Sequence, residues 1–144
     1  ERLKMEQIAK NTIKIMNIDI RLNPNTDSKT LSQSSTGKKE NNFGLNQKIF
    51  LQLVSYLKDS KYLNLKCLSV HIGSQILNHK PYENMLKVID KIISTSNHKF
   101  EYIDLGGGMG IDYEHNNSKL NLKKYSKNIQ QFLKTHNSTI IFYQ

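Results

Sequence analysis

Two short runs hold the residues best suited to chemistry. The first, "SVHIGSQI" (69–76), sets His71 at the end of an apolar segment with Gly73, Ser74 and Gln75 directly behind it. The second, "EYIDLGGGMGIDY" (101–113), ends an apolar run in Asp104 and then offers Gly106, Gly107, Gly108 and Gly110. An imidazole can stack on a flat ring, carry a proton or ligate a metal, and a serine hydroxyl can donate to a phosphate oxygen. Glycine loses more backbone freedom on ordering than any other residue, so this density is tolerated where main chain must turn sharply or approach another group closely. After a buried strand, such a turn exposes N–H groups that can ring an anion, of which phosphate is the commonest. The plainer readings are a turn that only redirects the chain and a histidine satisfied by a carbonyl. Having both runs in one chain favours a ligand.

Other candidates are weaker. "STGKK" (35–39) suggests a phosphate loop, but that motif needs glycine where Ser32 stands and Ser or Thr where Lys39 stands. "IDYEH" brings Asp112, Glu114 and His115 close in sequence without the paired histidines of a catalytic zinc site, so a solvated loop and no metal are expected. Cys67 is the sole cysteine and falls in an apolar strand. This excludes a disulfide framework and predicts a buried, unreactive thiol in a reducing compartment.

These residues must be positioned by the elements around them. Residues 1–11 predict a helix, with Leu3, Ile8 and Thr12 at helical spacing. "TIKIMNIDIRL" is rich in β-branched residues and predicts a strand that "NPN" (23–25) stops. From Asn23 to Leu45 the chain is polar and aperiodic, a long loop of the kind that is functional or disordered. Asn46 can cap a helix with the stripe Ile49, Phe50, Leu53, Val54 and Leu57. A strand "LKCLSVHIG" follows, then a helix near Pro81 to Ser94 burying Met85, Ile89, Ile92 and Ile93. "FEYIDL" is a third strand, residues 122–134 a helix burying Tyr125, Ile129, Phe132 and Leu133, and "STIIFYQ" a fourth strand. Such alternation predicts an α/β fold with a parallel sheet, either doubly wound or closed as a barrel. In both, ligands collect at the carboxyl ends of the strands, where Arg21, His71, Asp104 and Tyr143 fall.

The 144 residues carry a net charge of +9 and 37% hydrophobic residues, enough for a core. Basic charge suggests nucleic acid, yet Arg2 and Arg21 are the only arginines and the lysines are dispersed. The preferred fork for phosphate and base edges is thus scarce, and a solvated lysine-rich surface is the expected reading. No apolar run is long enough to cross a bilayer and no signal core opens the chain, so a cytoplasmic protein is expected.

In order, "RLNPN" (21–25), "STGKKENNFG" (35–44), "HIGSQI" (71–76) and "IDLGGGMGIDY" (103–113) resemble the barrel domain of the diaminopimelate decarboxylases. These belong to the pyridoxal-phosphate-dependent decarboxylases of the alanine racemase fold type. The resemblance spans nearly the whole chain and implies a partial eight-stranded TIM-type barrel, about strands five to eight. It implies that His71 stacks on the pyridine ring, that Ser74 helps hold the phosphate, and that the amides of Gly106, Gly107 and Gly108 cradle it. Arg21 matches a strand-end arginine near the site. The implied reaction releases carbon dioxide from meso-diaminopimelate to give lysine, in a homodimer when intact.

The family's imine-forming lysine lies on an earlier strand, so no lysine here takes that role and no catalytic residue is assigned. Its last barrel strand ends in Glu-Pro-Gly-Arg, whereas here Tyr143 and Gln144 follow "IIF". The family's small β domain is not matched either. This chain alone is therefore expected to be marginal, prone to association and inactive. The alternatives are an ornithine- or arginine-type decarboxylase of the same fold, an S-adenosylmethionine-dependent methyltransferase suggested by "IDLGGGMG", and a basic RNA-binding module.

Overall fold

A computed structural model describes residues 1–25, 43–113 and 120–143. The element order is α1 (Arg2–Thr12), β1 (Met16–Arg21), α2 (Gln47–Leu57), β2 (Leu63–Ser69), α3 (Lys80–Ser96), β3 (Tyr102–Asp104), α4 (Leu122–Leu133) and β4 (Thr139–Ile141). The alternation of strand and helix read from the sequence is reproduced, with strands shorter than the apolar runs that encode them. Residues 35–42 of the "STGKKENNFG" run, together with Glu114, His115 and Gln144, lie outside the described residues.

Local chemistry starts and stops the helices. Asn46 Oδ1 accepts the Ile49 N–H at 2.9 Å and opens α2, and Asn121 Oδ1 accepts the Lys124 N–H at 3.0 Å and opens α4. Pro81 sits in the first turn of α3, where its missing N–H costs nothing, and Asn97 closes that helix at a left-handed φ of 46°.

All strand pairs are parallel and the sheet order is β1-β2-β3-β4. With strands in sequential order and crossovers of one hand, consecutive helices fall on the same face of the sheet. The contacts of α2 with α3 and of α3 with α4 agree. A doubly wound sheet reverses its order so that helices cover both faces; among the described strands there is no reversal. The described strands are therefore singly wound.

The register separates the two faces. Ile20, Leu68, Ile103 and Ile140 form a row toward the helices. There Phe50, Val54, Tyr82, Met85, Ile89 and Ile92 are almost wholly buried, each large apolar side chain contributing roughly 1.5–3 kcal/mol by leaving water. Side chains alternate along a strand. Asp19, Cys67, Tyr102 and Thr139 therefore form a row on the opposite face, and Arg21, Ser69, Asp104 and Ile141 form the next. Parallel sheets are ordinarily apolar and covered on both faces. Here the second face is polar, and Ser69 Oγ donates to Asp19 Oδ2 across it at 2.7 Å.

Several expectations need correction. Ile49 in the α2 stripe and Leu133 in α4 are exposed, because they lie at the edges of their helices' apolar faces and the buried positions are Phe50, Val54 and Leu57 in α2 and Tyr125 and Phe132 in α4. The buried position of α1 is Ala9, with Met5 beside it, whereas Leu3 and Ile8 are 68% and 56% exposed. The small Ala9 side chain lets the helix come close, and Thr12 spends its hydroxyl on the Ile8 carbonyl at 2.9 Å. Ile13 and Ile15 are not strand core: Ile13 caps α1 at a left-handed φ of 53° and is 89% exposed. Cys67 is half-buried on the polar face rather than in the core.

Candidate functional site

The site residues assemble where the strands end. Past Ser69, Val70 still donates to the Asp104 carbonyl at 2.8 Å, and past Asp104, Leu105 donates to the Ile141 carbonyl at 2.8 Å. Backbone pairing thus carries His71 and Gly106 to the same level before the chain turns away. Asp104 folds its carboxylate back so that Oδ1 accepts the Gly106 N–H at 2.7 Å, the local turn that aspartate favours. Gly106 then takes a φ of +69°, and a Cβ there would lie 2.7 Å from both His71 Nδ1 and the Val70 carbonyl. The imidazole occupies the space that a side chain at 106 would need.

The Gly107 N–H points at His71 Nδ1 across 3.5 Å, at the limit of a hydrogen bond. Gly108, at a φ of +87°, packs so closely that a Cβ would come 1.9 Å from the Gly73 carbonyl oxygen, beside Ser74. His71, Gly106 and Gly107 are therefore one contact group, and Gly108 meets the exposed Ser74 loop. Of the three amides, that of Gly106 is taken by Asp104 and that of Gly107 is turned toward His71.

Arg21 joins this group from β1. It is in register with Ser69 and near enough to His71 for its charge to act on the ring. Burial first, then Arg21, holds the His71 imidazole below its ordinary pKa, with Asp104 pulling the other way. A neutral ring is the form that results. The Arg21 guanidinium lies 5.5 Å over the Phe43 ring, and its buried Nε has no hydrogen-bond partner among the described residues. A buried cationic donor without an acceptor is costly and fits a site completed by an oxygen-bearing anion.

Other groups stay outside the chemistry. Burial, then the Asp19 carboxylate, pushes the Cys67 thiol up to about 12, so it is not a poised nucleophile. Among the described residues no three His, Cys, Asp or Glu side chains are placed to hold a metal ion. Two surface concavities of about 360 and 440 Å³ lie at the opposite end of the sheet, one lined by Tyr56 and Tyr62 and the other by His98 and His136. Neither shares a residue with the strand-end group.

Three residues have supporting roles that the sequence reading did not assign. Asp104 was open to recognition, since aspartate two residues before a glycine is a turn signal. Gln75 and Tyr82 were not: Gln75 binds the main chain of Ile111, and Tyr82 reaches up from α3 to the Gly107 carbonyl at 3.5 Å. Such partners depend on how two loops and a helix meet.

The family profile for the pyridoxal-binding domain of pyridoxal-dependent decarboxylases matches residues 1–142. The diaminopimelate decarboxylase of Campylobacter jejuni subsp. jejuni is 33% identical over 132 residues, covering 90% of this chain and 33% of that protein. That of Helicobacter pylori is 36% identical over 128 residues, covering 86% of this chain and 31% of its own length. The crystal structure of Helicobacter pylori diaminopimelate decarboxylase complexed with L-lysine superposes with a TM-score of 0.83 at 34% identity, over 95% of this chain and 35% of that one. The chain spans about a third of the length of the relatives it matches.

Proposed function

The chain belongs to the pyridoxal-dependent decarboxylases, as part of their pyridoxal-binding domain, and from that premise we propose that it contributes the phosphate and ring contacts of a diaminopimelate decarboxylase. The reaction is the conversion of meso-diaminopimelate to L-lysine and carbon dioxide, in a homodimer whose barrel these four strands help to close. The observation that carries this reading is the group of His71, Ser74, Gly106, Gly107 and Gly108 at the carboxyl ends of one parallel sheet, packed so that a side chain at 106 or 108 has no room. The methyltransferase and RNA-binding alternatives give way to the family membership. Within the family, the similarity to diaminopimelate decarboxylases at 33% and 36% identity favours that substrate over ornithine or arginine.

The residues fit pyridoxal phosphate. The backbone amide of Gly108 and the Ser74 hydroxyl supply neutral donors for a phosphate, with the Gly107 N–H, only at the limit of a hydrogen bond to His71, beside them. His71, neutral and held edge-on by Gly106 and Gly107, offers a flat face for a pyridine ring. Arg21 supplies a buried donor to an oxygen on the polar face. When bound, pyridoxal phosphate supplies an electron sink for the pair released as carbon dioxide departs. The protein's work at this site is to fix the ring and phosphate so that the breaking bond has one orientation.

Binding tests this without relying on turnover. Pyridoxamine 5′-phosphate is the probe, because it lacks the aldehyde that would react with the lysine-rich surface. The wild-type chain should bind it, and His71→Ala should bind about threefold to tenfold more weakly, the value of one lost ring contact. Equal affinity in the two proteins would remove His71 from the site.

A further inference from the structure

The Ser74 loop and the glycine turn belong to different crossovers, yet the proposed phosphate contacts come from both. Their separation must therefore be set by something that spans them. Ile76 N–H donates to the Gly108 carbonyl at 2.9 Å and Gly110 N–H donates to the Ile76 carbonyl at 3.1 Å, forming an isolated parallel bridge between Ile76 and Met109. Beside that bridge, the Gln75 side chain repeats the pattern: its Oε1 accepts the Ile111 N–H at 3.0 Å and its Nε2 donates to the Ile111 carbonyl at 3.4 Å.

One amide side chain thus acts as an added peptide unit that carries the pairing two residues further along the turn. Gln75 does so from a left-handed backbone, φ 57°, an uncommon conformation for a residue with a side chain. That conformation is what places its amide opposite Ile111 while Ser74 stays exposed. Charged, shorter or apolar side chains do not offer a donor and an acceptor at that reach.

We propose that Gln75 is a positioning residue that clamps the glycine turn to the Ser74 loop and so sets the affinity for the cofactor's phosphate. This rests on the cofactor reading above. Gln75 touches neither β2 nor β3 in the hydrogen bonds described, so the clamp is separable from the sheet.

The experiment compares pyridoxamine 5′-phosphate with pyridoxamine on the same chain by isothermal titration, alongside thermal denaturation without ligand. Gln75→Gly removes the amide while keeping a residue that accepts positive φ, and Gln75→Asn keeps an amide too short to reach both Ile111 groups. Both variants should lose about tenfold in affinity for the phosphorylated probe while binding pyridoxamine as the wild type does, with unligated melting within about 2 °C of wild type. Loss of the two affinities in equal proportion, or no loss, overturns the Gln75 assignment alone. A wild-type chain that does not prefer the phosphorylated probe overturns the cofactor reading and the clamp with it. If the Gly variant does not fold, the Asn variant gives the same two readings.

Discussion

At the scale of single residues, the site is defined by what Gly106 lacks and what His71 therefore can do. The imidazole sits where a Cβ would be, shielded from water on one side and facing the Arg21 charge on another. Burial is the larger cause and Arg21 the second, and both lower its pKa from 6.5 against the opposing pull of Asp104. The sign of the stability effect follows. Between the folded and unfolded pKa values the unfolded chain binds a proton that the folded chain does not, so stability rises with pH. The contribution is complete above the unfolded value and lost as pH falls through the folded one. His71→Gln keeps an acceptor for the Gly107 N–H but cannot titrate. Between about pH 7.5 and 5 the wild type should therefore lose more stability to urea than this variant does. Identical losses would mean that the ring is fully hydrated. The residue types of this group were legible in the sequence because glycine density and a strand-end histidine are local signals. The face on which Cys67 lies was not, because an apolar run does not say which of its alternate positions meets the helices.

At the scale of elements, caps and turns are not equal in cost. Asn46 opens α2 with one exposed hydrogen bond, and Asn46→Ala should cost about 1 kcal/mol. Gly108 combines a φ of +87° with a Cβ position 1.9 Å from the Gly73 carbonyl, so Gly108→Ala must move a backbone segment. Its cost should exceed that of the cap, at roughly 1–3 kcal/mol or more, and it should also abolish binding of pyridoxamine 5′-phosphate. Denaturant midpoints of the two variants with an unchanged slope check the order; a Gly108→Ala chain as stable as Asn46→Ala would mean that the two loops do not touch in solution. The Asn46 cap, the stripe of α3, the stripe of α2 apart from the exposed Ile49, and the alternation were readable from the sequence, since each depends on neighbours within a turn or two. The opening helix misled because periodicity counts large apolar residues. Its packing instead uses Ala9, whose small size matters only once the partner surface is known.

At the scale of the whole molecule, the decisive feature is a sheet that the described helices cover on one face. Its polar face depends on a register that slips between Ile18 and Asp19, bringing Asp19 opposite Cys67 and Arg21 opposite Ser69. A sequence pattern cannot reveal that slip, which is why the alternation of elements was legible and the choice between winding patterns was not. Among the described strands β1 and β4 each have one strand neighbour, only the Arg21 end of β1 being bridged on its outer side, by Leu45, and Ile141, Phe142 and Tyr143 are exposed beside the second edge. Unpaired strand edges with apolar side chains nearby are templates for association. The 144-residue chain by itself, 16.7 kDa, should therefore show an apparent mass that grows with concentration in light scattering after gel filtration. Ile141→Lys places a charge on the edge strand at a position already 41% exposed, so it should reduce association without a large loss of stability. A wild-type chain that stays monomeric at every concentration would mean that the open edges and the polar face are satisfied within one copy, and the view of this sheet as one wall of a larger closed barrel would lose its physical basis.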